Sequence, residues 1–423
     1  MNVLQVNKFH YLRGGSERVY FGTADILAQH GHKVNFFSMV HPENVPCDTS
    51  QFFMSDVDVN SNSINPVHQI KIAFRILYSS EAKERISRLL DEYPVDIVHL
   101  HNIHHQISPS ILDVLKKRKI PAVMTLHDYK MVCASYSLLA HDEICERCSG
   151  GKYYRAIHRR CLKGSFIKSS LAAMEMYLHH TFLNIYKNVD IFISPSMFLK
   201  KKLIDMGFKK TIVYLPNFVT RFDAVKNETN GEIHSDEYSL VYFGRLSREK
   251  GVSTLIKAAK ILQAEGTMKI KFKIIGDGPL KSILEKRVEN EGIHNVQFFG
   301  YMRGETLYNE IKRSTAVILP SEWYENNPVS VLEAFALGKP VISARIGGIP
   351  ELVSDNGTGL TFQSGNAEDL VEKIIHMFNS RKKIAEMGEN ARVFVHQNFS
   401  VEKYYQGLMN IYQLAREKRK NGL

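Results

Sequence analysis

Residues 321–335 read SEWYENNPVSVLEAF, and they indicate the fold more clearly than any other stretch of the chain. A β-branched run ends before Ser321, a polar loop follows, and a helical pattern begins at Pro328, a residue favoured in the first turn of a helix. Backbone N–H groups from Asn327 to Ser330 then lie at the positive end of a helix dipole. The stretch predicts a strand, a loop and a helix whose N-terminus can bind a diphosphate.

Two carboxylates flank the start of this predicted helix, Glu325 just before it and Glu333 on its second turn. They are placed to address different parts of one ligand. The spacing by itself also fits a capping acid followed by a solvated helix residue, so both interpretations stay open.

The same alternation of strand and helix continues through most of the chain, as in a parallel sheet covered by helices on both faces. The first half has five predicted strands, at residues 3–7, 33–38, 97–101, 122–126 and 191–195. The second half has five more, at residues 240–243, 272–275, 296–299, 316–320 and 340–343. The fold class is therefore α/β, with two Rossmann-like domains.

A chain of 423 residues exceeds what one hydrophobic core usually supports. Residues 215–238 lack periodicity and are predicted to join the domains. The predicted domains are residues 1–215, with an insertion at about 130–165, and residues 216–395. Two such domains facing each other would leave a cleft, with ligands at the carboxyl ends of the strands.

A second motif, GRLSREKG at residues 244–251, follows a predicted buried strand. Arg245 and Lys250 could neutralise negative charge on a leaving diphosphate and so replace a divalent metal. Two cations after a strand are also compatible with an ordinary charged surface.

The N-terminal loop holds Gly14 and Gly15 between a strand and a helix. Glycines let a phosphate or sugar approach the backbone closely, although a tight turn explains them too. The full dinucleotide-binding spacing of glycines is missing.

Taken together, these motifs resemble glycosyltransferase family 4, the retaining transferases of the two-Rossmann-domain type called GT-B. The matching segments are GGSER at 14–18, LHD at 126–128, GRLSREKG at 244–251, the E-x7-E pair at 325 and 333, and GGIPE at 347–351. The resemblance covers essentially the whole chain. It also implies that a last helix, residues 396–423, crosses back to the first domain.

The resemblance implies a set of functional residues. Catalysis is assigned to His127, Glu325, Arg245 and Lys250. Donor binding is assigned to Gly14, Gly15, Arg245, Lys250, Asp277, Tyr301, Met302, Glu325, Asn326, Asn327, Pro328, Val329 and Glu333. Without the resemblance, His127 would be read as a structural histidine after a strand.

The implied activity is metal-independent, hexosyltransferase-type transfer from a UDP- or GDP-sugar to a glycan or lipid-linked acceptor in cell-surface polysaccharide or glycoconjugate synthesis. The leaving diphosphate would take the acceptor proton, with no cofactor required for catalysis. Alternatives are a sugar-nucleotide epimerase or phosphorylase of the same fold, or a basic module that binds nucleic acid or lipid without catalysis.

Four cysteines lie in the insertion: Cys133, Cys145, Cys148 and Cys161. The insertion resembles one found in bacterial polysaccharide-assembly members of family 4, and it is expected to overhang the acceptor side with Tyr153, Tyr154, Arg155, Arg159 and Arg160. Four thiolates that include a C-x-x-C pair could close a structural zinc site, while ordinary free cysteines and redox or disulfide use remain the alternatives. The run HLHNIHH at 99–105 looks like a metal cluster, but histidines of a buried strand are more simply explained by hydrogen bonds.

The net charge of +11 is concentrated in the first half, at residues 116–119, 152–168, 200–202 and 209–210. These basic clusters fit a plain solvated face, and the alternative is a docking surface for an anionic membrane; nucleic acid is not expected as a partner. No signal-peptide or membrane-spanning pattern is visible, so a cytoplasmic protein, peripheral on the inner membrane face, is expected.

Overall fold

The computed structural model describes residues 1–56, 66–220, 238–266 and 268–422. The chain divides into two compact units, Met1–Pro216 with Tyr404–Leu423, and Asn217–Lys403. This boundary lies one residue from the predicted one, and the returning segment begins at Tyr404 rather than at residue 396. Most of the predicted junction, residues 221–237, lies outside the described residues.

The first unit is built on a parallel sheet with helices between its strands. Its strands are β1 (Asn2–Val6), β2 (Lys33–Phe37), β3 (Ile97–Leu100), β4 (Ala122–Thr125), β5 (Leu139–Ala140), β6 (Glu143–Ile144), β7 (Ile191–Ser194) and β8 (Ile212–Tyr214). Its helices are α1 (Gly15–Gln29), α2 (Pro66–Leu77), α3 (Ser80–Glu92), α4 (Ile111–Lys117), α5 (Arg155–His158), α6 (Phe166–Met176) and α7 (Met197–Asp205). The sheet has six parallel strands in the order β2-β1-β3-β4-β7-β8, while β5 and β6 form a separate antiparallel pair in the insertion.

The second unit repeats this plan. Its strands are β9 (Tyr238–Phe243), β10 (Ile270–Ile275), β11 (Val296–Gly300), β12 (Ala316–Leu319), β13 (Val341–Ala344) and β14 (Gly359–Phe362). Its helices are α8 (Val252–Glu265), α9 (Lys281–Asn290), α10 (Gly304–Arg313), α11 (Val329–Ala336), α12 (Ala367–Phe378) and α13 (Arg381–Asn398). The strand order is β11-β10-β9-β12-β13-β14, with all strands parallel. From β9 the chain first adds strands on one side and then, with β12, on the other. Sheets of this kind bind ligands at that switch point.

The central strands owe their positions to burial on both faces. Every residue of β3, β4, β7, β12 and β13 is buried, which explains why these strands read as apolar runs without alternation. Six predicted strands extend one residue too far, to Asn7, Ser38, His101, Leu126, Pro195 and Pro320. Of these, His101 and Leu126 follow the central strands β3 and β4. Their N–H groups still bond to the neighbouring strands, at Val6 O (2.8 Å) and Ile193 O (2.9 Å), so the ladder continues where the strand geometry ends.

The last helix, α14 (Val401–Lys420), packs its C-terminal part within the first unit. The Tyr412 hydroxyl lies 2.8 Å from Nδ1 of the buried His99. Arg419 forms an ion pair with Asp190 at 2.8 Å. These contacts explain why the chain returns to this unit after completing the second. No helix among the described residues is long and apolar enough to cross a membrane.

Four histidines make the first unit sensitive to acid: His10 and His99 are buried, and His127 and His180 are half-buried. Burial lowers the pKa of His99 and of His180 from 6.5 to about 3, and that of His10 and of His127 to about 4, a neighbouring histidine or lysine adding to the shift in all but His10. Below pH 6.5 these histidines are protonated in the unfolded chain but stay neutral in the folded chain. The stability that these groups contribute is therefore fully present above pH 6.5 and is lost as the pH falls toward 4. Each histidine lowers the free energy of unfolding by at most about 1.4 kcal/mol for each pH unit.

We expect urea midpoints to fall steeply between pH 7 and pH 5. Replacing the exposed His376 with glutamine should leave that slope unchanged. Equal midpoints at pH 7 and pH 5 would contradict the assignment.

Candidate functional site

The loops after β9 and β12 leave the same edge of the second sheet side by side. The two strands pair in parallel, with Val317 opposite Val241. Past the strands, the Glu322 N–H donates to the Glu249 carbonyl oxygen at 2.9 Å, which joins the two loops directly. The sequence placed both motifs after strands, and the sheet order makes them neighbours.

Lys250 and Glu325 meet across these loops. Lys250 Nζ lies 2.6 Å from Glu325 Oε1, and the Ser321 hydroxyl donates to the same oxygen at 2.7 Å. The Glu325 side chain is 7% exposed and that of Lys250 is 23% exposed, so the pair is largely withdrawn from water. The interpretation of Glu325 as a plain capping acid is wrong, because its carboxylate binds side chains of the loops.

Burial by itself would raise the pKa of Glu325. The charge of Lys250, together with the hydrogen bonds from Lys250 and Ser321, more than offsets burial and holds this pKa below its ordinary value. The carboxylate is therefore ionised at neutral pH.

Two residues of this cluster were missed by the sequence analysis, Ser321 and Trp323. Lys250 Nζ lies 4.9 Å from the centre of the Trp323 ring, in cation–π contact. Both residues stand in the quoted segment 321–335, but no spacing rule links them to a lysine more than seventy positions earlier.

Arg245, the other predicted cation, is exposed. Within the described parts of the chain no hydrogen bond or ion pair engages its guanidinium, whereas its carbonyl oxygen accepts a bond of 2.8 Å from the Tyr242 hydroxyl. A backbone anchored in this way carries a charged side chain available to a ligand. The three loop residues predicted to contact the nucleotide are not buried: Asp277 and Tyr301 are exposed and Met302 is partly buried.

Helix α11 begins at Val329, so the prediction that Pro328 is its first residue is wrong by one position. Pro328 is the N-cap, where its missing N–H removes nothing from the helix. Asn327 is buried. Asn217, the first residue of this unit, donates a hydrogen bond from its side-chain amide to the Asn327 carbonyl oxygen at 2.9 Å. Glu333 is 7% exposed and lies 3.5 Å from the Tyr308 hydroxyl, so the reading of it as a solvated helix residue is wrong.

The GGIPE segment, residues 347–351, packs against the backbone of Glu325. The Gly348 N–H donates to the Glu325 carbonyl oxygen at 2.7 Å. Gly347 has φ of +63°, and a Cβ there would collide with the backbone N and O of Glu325. Only glycine permits this approach, so the motif fixes the carboxylate's position.

In the first unit, His127 ends a chain of hydrogen bonds. Its Nε2 lies 2.9 Å from His101 Nδ1, and His101 Nε2 lies 2.8 Å from Oε1, the side-chain amide oxygen, of Gln5. Because that oxygen only accepts, His101 carries its proton on Nε2 and His127 must donate from its own Nε2. Burial, aided by the charge of Lys8, lowers the pKa of His127 to about 4, so this imidazole is neutral at pH 7.

Gly14 and Gly15 open helix α1, with Gly14 as N-cap and no side-chain cap. Neither has a positive φ, so the tight-turn explanation does not account for them. A Cβ added at Gly15 would meet no atom within 4 Å. Packing inside the unit therefore does not require this glycine.

The histidine run is held by hydrogen bonds, as the sequence analysis favoured. His99 bonds to Tyr412 and, at 2.7 Å, to Thr125, and His104 bonds to the Tyr186 hydroxyl at 2.9 Å. His104 is buried.

The insertion's four cysteines are all free thiols. Burial raises the pKa of Cys148 to about 12, with smaller contributions from Cys133, Cys161 and Cys145, so the four lie near one another. Across the described ranges, no group of three or more His, Cys, Asp or Glu side chains is arranged to hold a metal ion. The zinc site thus stays a prediction from cysteine spacing.

Comparison with known proteins gives matches along most of the chain. Residues 13–221 match the family model described as Glycosyltransferase Family 4, and residues 225–394 match Glycosyl transferases group 1. An uncharacterized glycosyltransferase of Methanocaldococcus jannaschii is 25% identical over 83% of this chain and 84% of its own. The amylovoran biosynthesis glycosyltransferase AmsK of Erwinia amylovora is 24% identical over 54% of this chain and 57% of its own.

A solved structure shows the same fold. HepE from Anabaena, in complex with UDP and glucose, superposes with a TM-score of 0.67 at 16% identity, covering 98% of this chain and 99% of that chain. Two parallel-sheet Rossmann-like domains of this kind make up the GT-B fold. The chain belongs to glycosyltransferase family 4.

Proposed function

We propose that this glycosyltransferase transfers a hexose, with retention of configuration, from a nucleoside diphosphate sugar to a glycan or lipid-linked acceptor. The observation that carries the proposal is the cluster of Lys250, Glu325 and Ser321, with exposed Arg245 in the adjacent loop, at the strand-order reversal of the second unit. HepE, of the same fold, was solved with UDP, which supports a uridine nucleotide among the candidate donors.

In this proposal the donor diphosphate lies against the N-terminus of α11. Arg245 and Lys250 supply positive charge as the diphosphate leaves, in place of a divalent metal. Glu333 binds the nucleotide's ribose, and Asp277, Tyr301 and Met302 contact the nucleotide. Backbone from Asn326 to Val329 completes the diphosphate site, and Gly15, whose Cβ position is open, lets donor phosphate approach the first unit's backbone.

The chemical step breaks the bond between the sugar's anomeric carbon and the diphosphate oxygen and forms one to the acceptor oxygen on the same face. The acceptor's proton passes to the leaving diphosphate, so no protein base is consumed. Neutral His127 and ionised Glu325 orient the sugar and stabilise its developing positive charge. The hydrogen bond that His127 donates to His101 holds the His127 ring in position.

Acceptor and place of action follow from weaker observations. The relationship to AmsK, an amylovoran biosynthesis glycosyltransferase, supports a role in polysaccharide synthesis. Phe166 and Ile167 are 59% and 78% exposed beside the basic segment 152–168, a combination suited to docking at an anionic membrane surface.

The test is a panel of UDP-, GDP- and ADP-hexoses screened by thermal shift, followed by product analysis with the binding donor. We expect one nucleotide class to raise the melting temperature, as a ligand of the folded state must. NMR of the product should show an anomeric configuration matching the donor. Nucleotide release without acceptor, epimerised donor, or sugar 1-phosphate formed with phosphate would support the other enzyme classes instead. Salt-sensitive DNA binding without any donor shift would overturn the enzymatic proposal.

A further inference from the structure

The cysteine-bearing insertion contains a surface cavity of about 380 Å³. Its lining residues are Arg147, Tyr154, Arg155, His158 and Arg159. Three are arginines, and none is acidic. Neither the proposed donor site nor the His127 chain uses any of them.

The cavity wall is held in place by local structure. Arg155, His158 and Arg159 have helical spacing and share one side of α5. Arg155 Nη1 donates to the Arg147 carbonyl oxygen at 3.2 Å, which ties α5 to the loop between Cys145 and Cys148. Beneath them, Cys148, Tyr153 and Ala156 pack in a small core with residues of α6. The arginines therefore stand on a supported surface rather than on a free loop.

Among the residues that the structure describes, no carboxylate pairs with Arg147, Arg155 or Arg159. Glu146, next in sequence to Arg147, forms an ion pair with Lys202 at 2.7 Å. The Nε of Arg159 is buried and has no hydrogen-bond acceptor. Crowded guanidinium groups without counter-charge repel one another, and a bound anion would offset that repulsion.

The hydrogen-bond donors that line the cavity indicate which kind of ligand it can bind. Guanidinium groups bind phosphate and carboxylate through paired N–H donors. The Tyr154 ring is 44% exposed and meets His158 edge-on, with ring centres 6.0 Å apart, which provides an aromatic surface for a sugar ring. A volume of about 380 Å³ is large enough for a charged monosaccharide, not only for a lone ion.

We propose that this cavity binds an acidic sugar of the acceptor, through a carboxylate or phosphate group held by Arg147, Arg155 and Arg159. The inference rests on the proposed function, in which the donor's own phosphates are bound by Arg245 and Lys250 in the other unit. The acceptor is then the substrate that can carry a further anionic group. The enzyme would extend an acidic glycan.

The test compares the whole protein with the double variant Arg155→Gln/Arg159→Gln. Lys168→Gln is the matched control, because Lys168 is exposed, lies in the same basic segment and does not line the cavity. Calorimetric titrations at constant ionic strength would use glucuronic acid, glucose 6-phosphate, glucose and inorganic phosphate. We expect saturable binding of the two acidic sugars, none of glucose, a loss of at least tenfold in the double variant, and a change below twofold in the control.

Several results would overturn the inference. These are acidic-sugar binding that survives in the double variant, inorganic phosphate binding as tightly as glucose 6-phosphate, or arginine-dependent binding only to phosphatidylglycerol vesicles. Circular dichroism checks that the variants fold. Titrations with UDP, GDP and ADP separate the two proposals. The nucleotide that binds the wild type should still bind the double variant. If none of the three binds the wild type while acidic sugars do, the donor assignment is refuted but the cavity is not.

Discussion

Lys250→Ala is expected to lower kcat by roughly 10²–10³-fold, the usual cost of removing one preorganised charge from a transition state. Lys250 Nζ lies 2.6 Å from Glu325 Oε1, so the substitution removes the diphosphate's proposed cation and also leaves a buried carboxylate without its ion-pair partner. The measurement is acceptor-dependent release of nucleoside diphosphate at saturating donor.

Two further variants separate chemistry from folding. Glu325→Gln keeps the side chain's shape and can still accept bonds from Lys250 and Ser321, so it should fold normally while losing activity. Lys257→Ala removes an exposed lysine from α8 and should behave like the wild type. If Lys250→Ala retained kcat within threefold of the Lys257 variant, the cation would have no part in catalysis.

The largest effect on stability is expected at a second ion pair, between Lys130 and Glu175 in the first unit. Lys130 is 1% exposed and Glu175 is 0% exposed, with Nζ 2.7 Å from Oε2. His105 Nδ1 lies 3.1 Å from the same oxygen. Burial would raise the pKa of Glu175, but the charges of His105 and Lys130 outweigh it and hold this pKa well below its ordinary value.

Lys130→Met should therefore destabilise the protein by about 3–5 kcal/mol, because it leaves the buried Glu175 carboxylate without its ion-pair partner. Replacing both partners, as Lys130→Met/Glu175→Leu, should restore much of the loss, because the uncompensated charge is then gone. Urea unfolding followed by circular dichroism measures both. Lys168→Met, at an exposed lysine of α6, is the control. A double variant no more stable than the single one would show that the pair is not the source of the effect.

Much of the site was predictable because its parts are local. Strand ends, the loop of residues 321–328 and the start of α11 all follow from short-range pattern, and their order matched the family. Contacts between distant segments were not predictable in this way. Nothing in the spacing of Lys250 and Glu325 specifies an ion pair, and Ser321 gives no signal of its own. In the sequence, Arg155 and Arg159 were identified only as basic residues of an insertion expected on the acceptor side, and Arg147 gave no signal.

Local sequence patterns were enough for the α/β class and the two Rossmann-like domains, because strand and helix periodicities are properties of neighbouring residues. The family was recognised from the resemblance of short motifs, which are local as well. The tertiary structure decided which of those loops share a sheet edge. It also decided that Lys250 neutralises Glu325, that His101 sets the proton position on His127, and that three arginines crowd one cavity without a counter-charge. Such contacts depend on strand order and burial, which bring together residues that no local spacing connects.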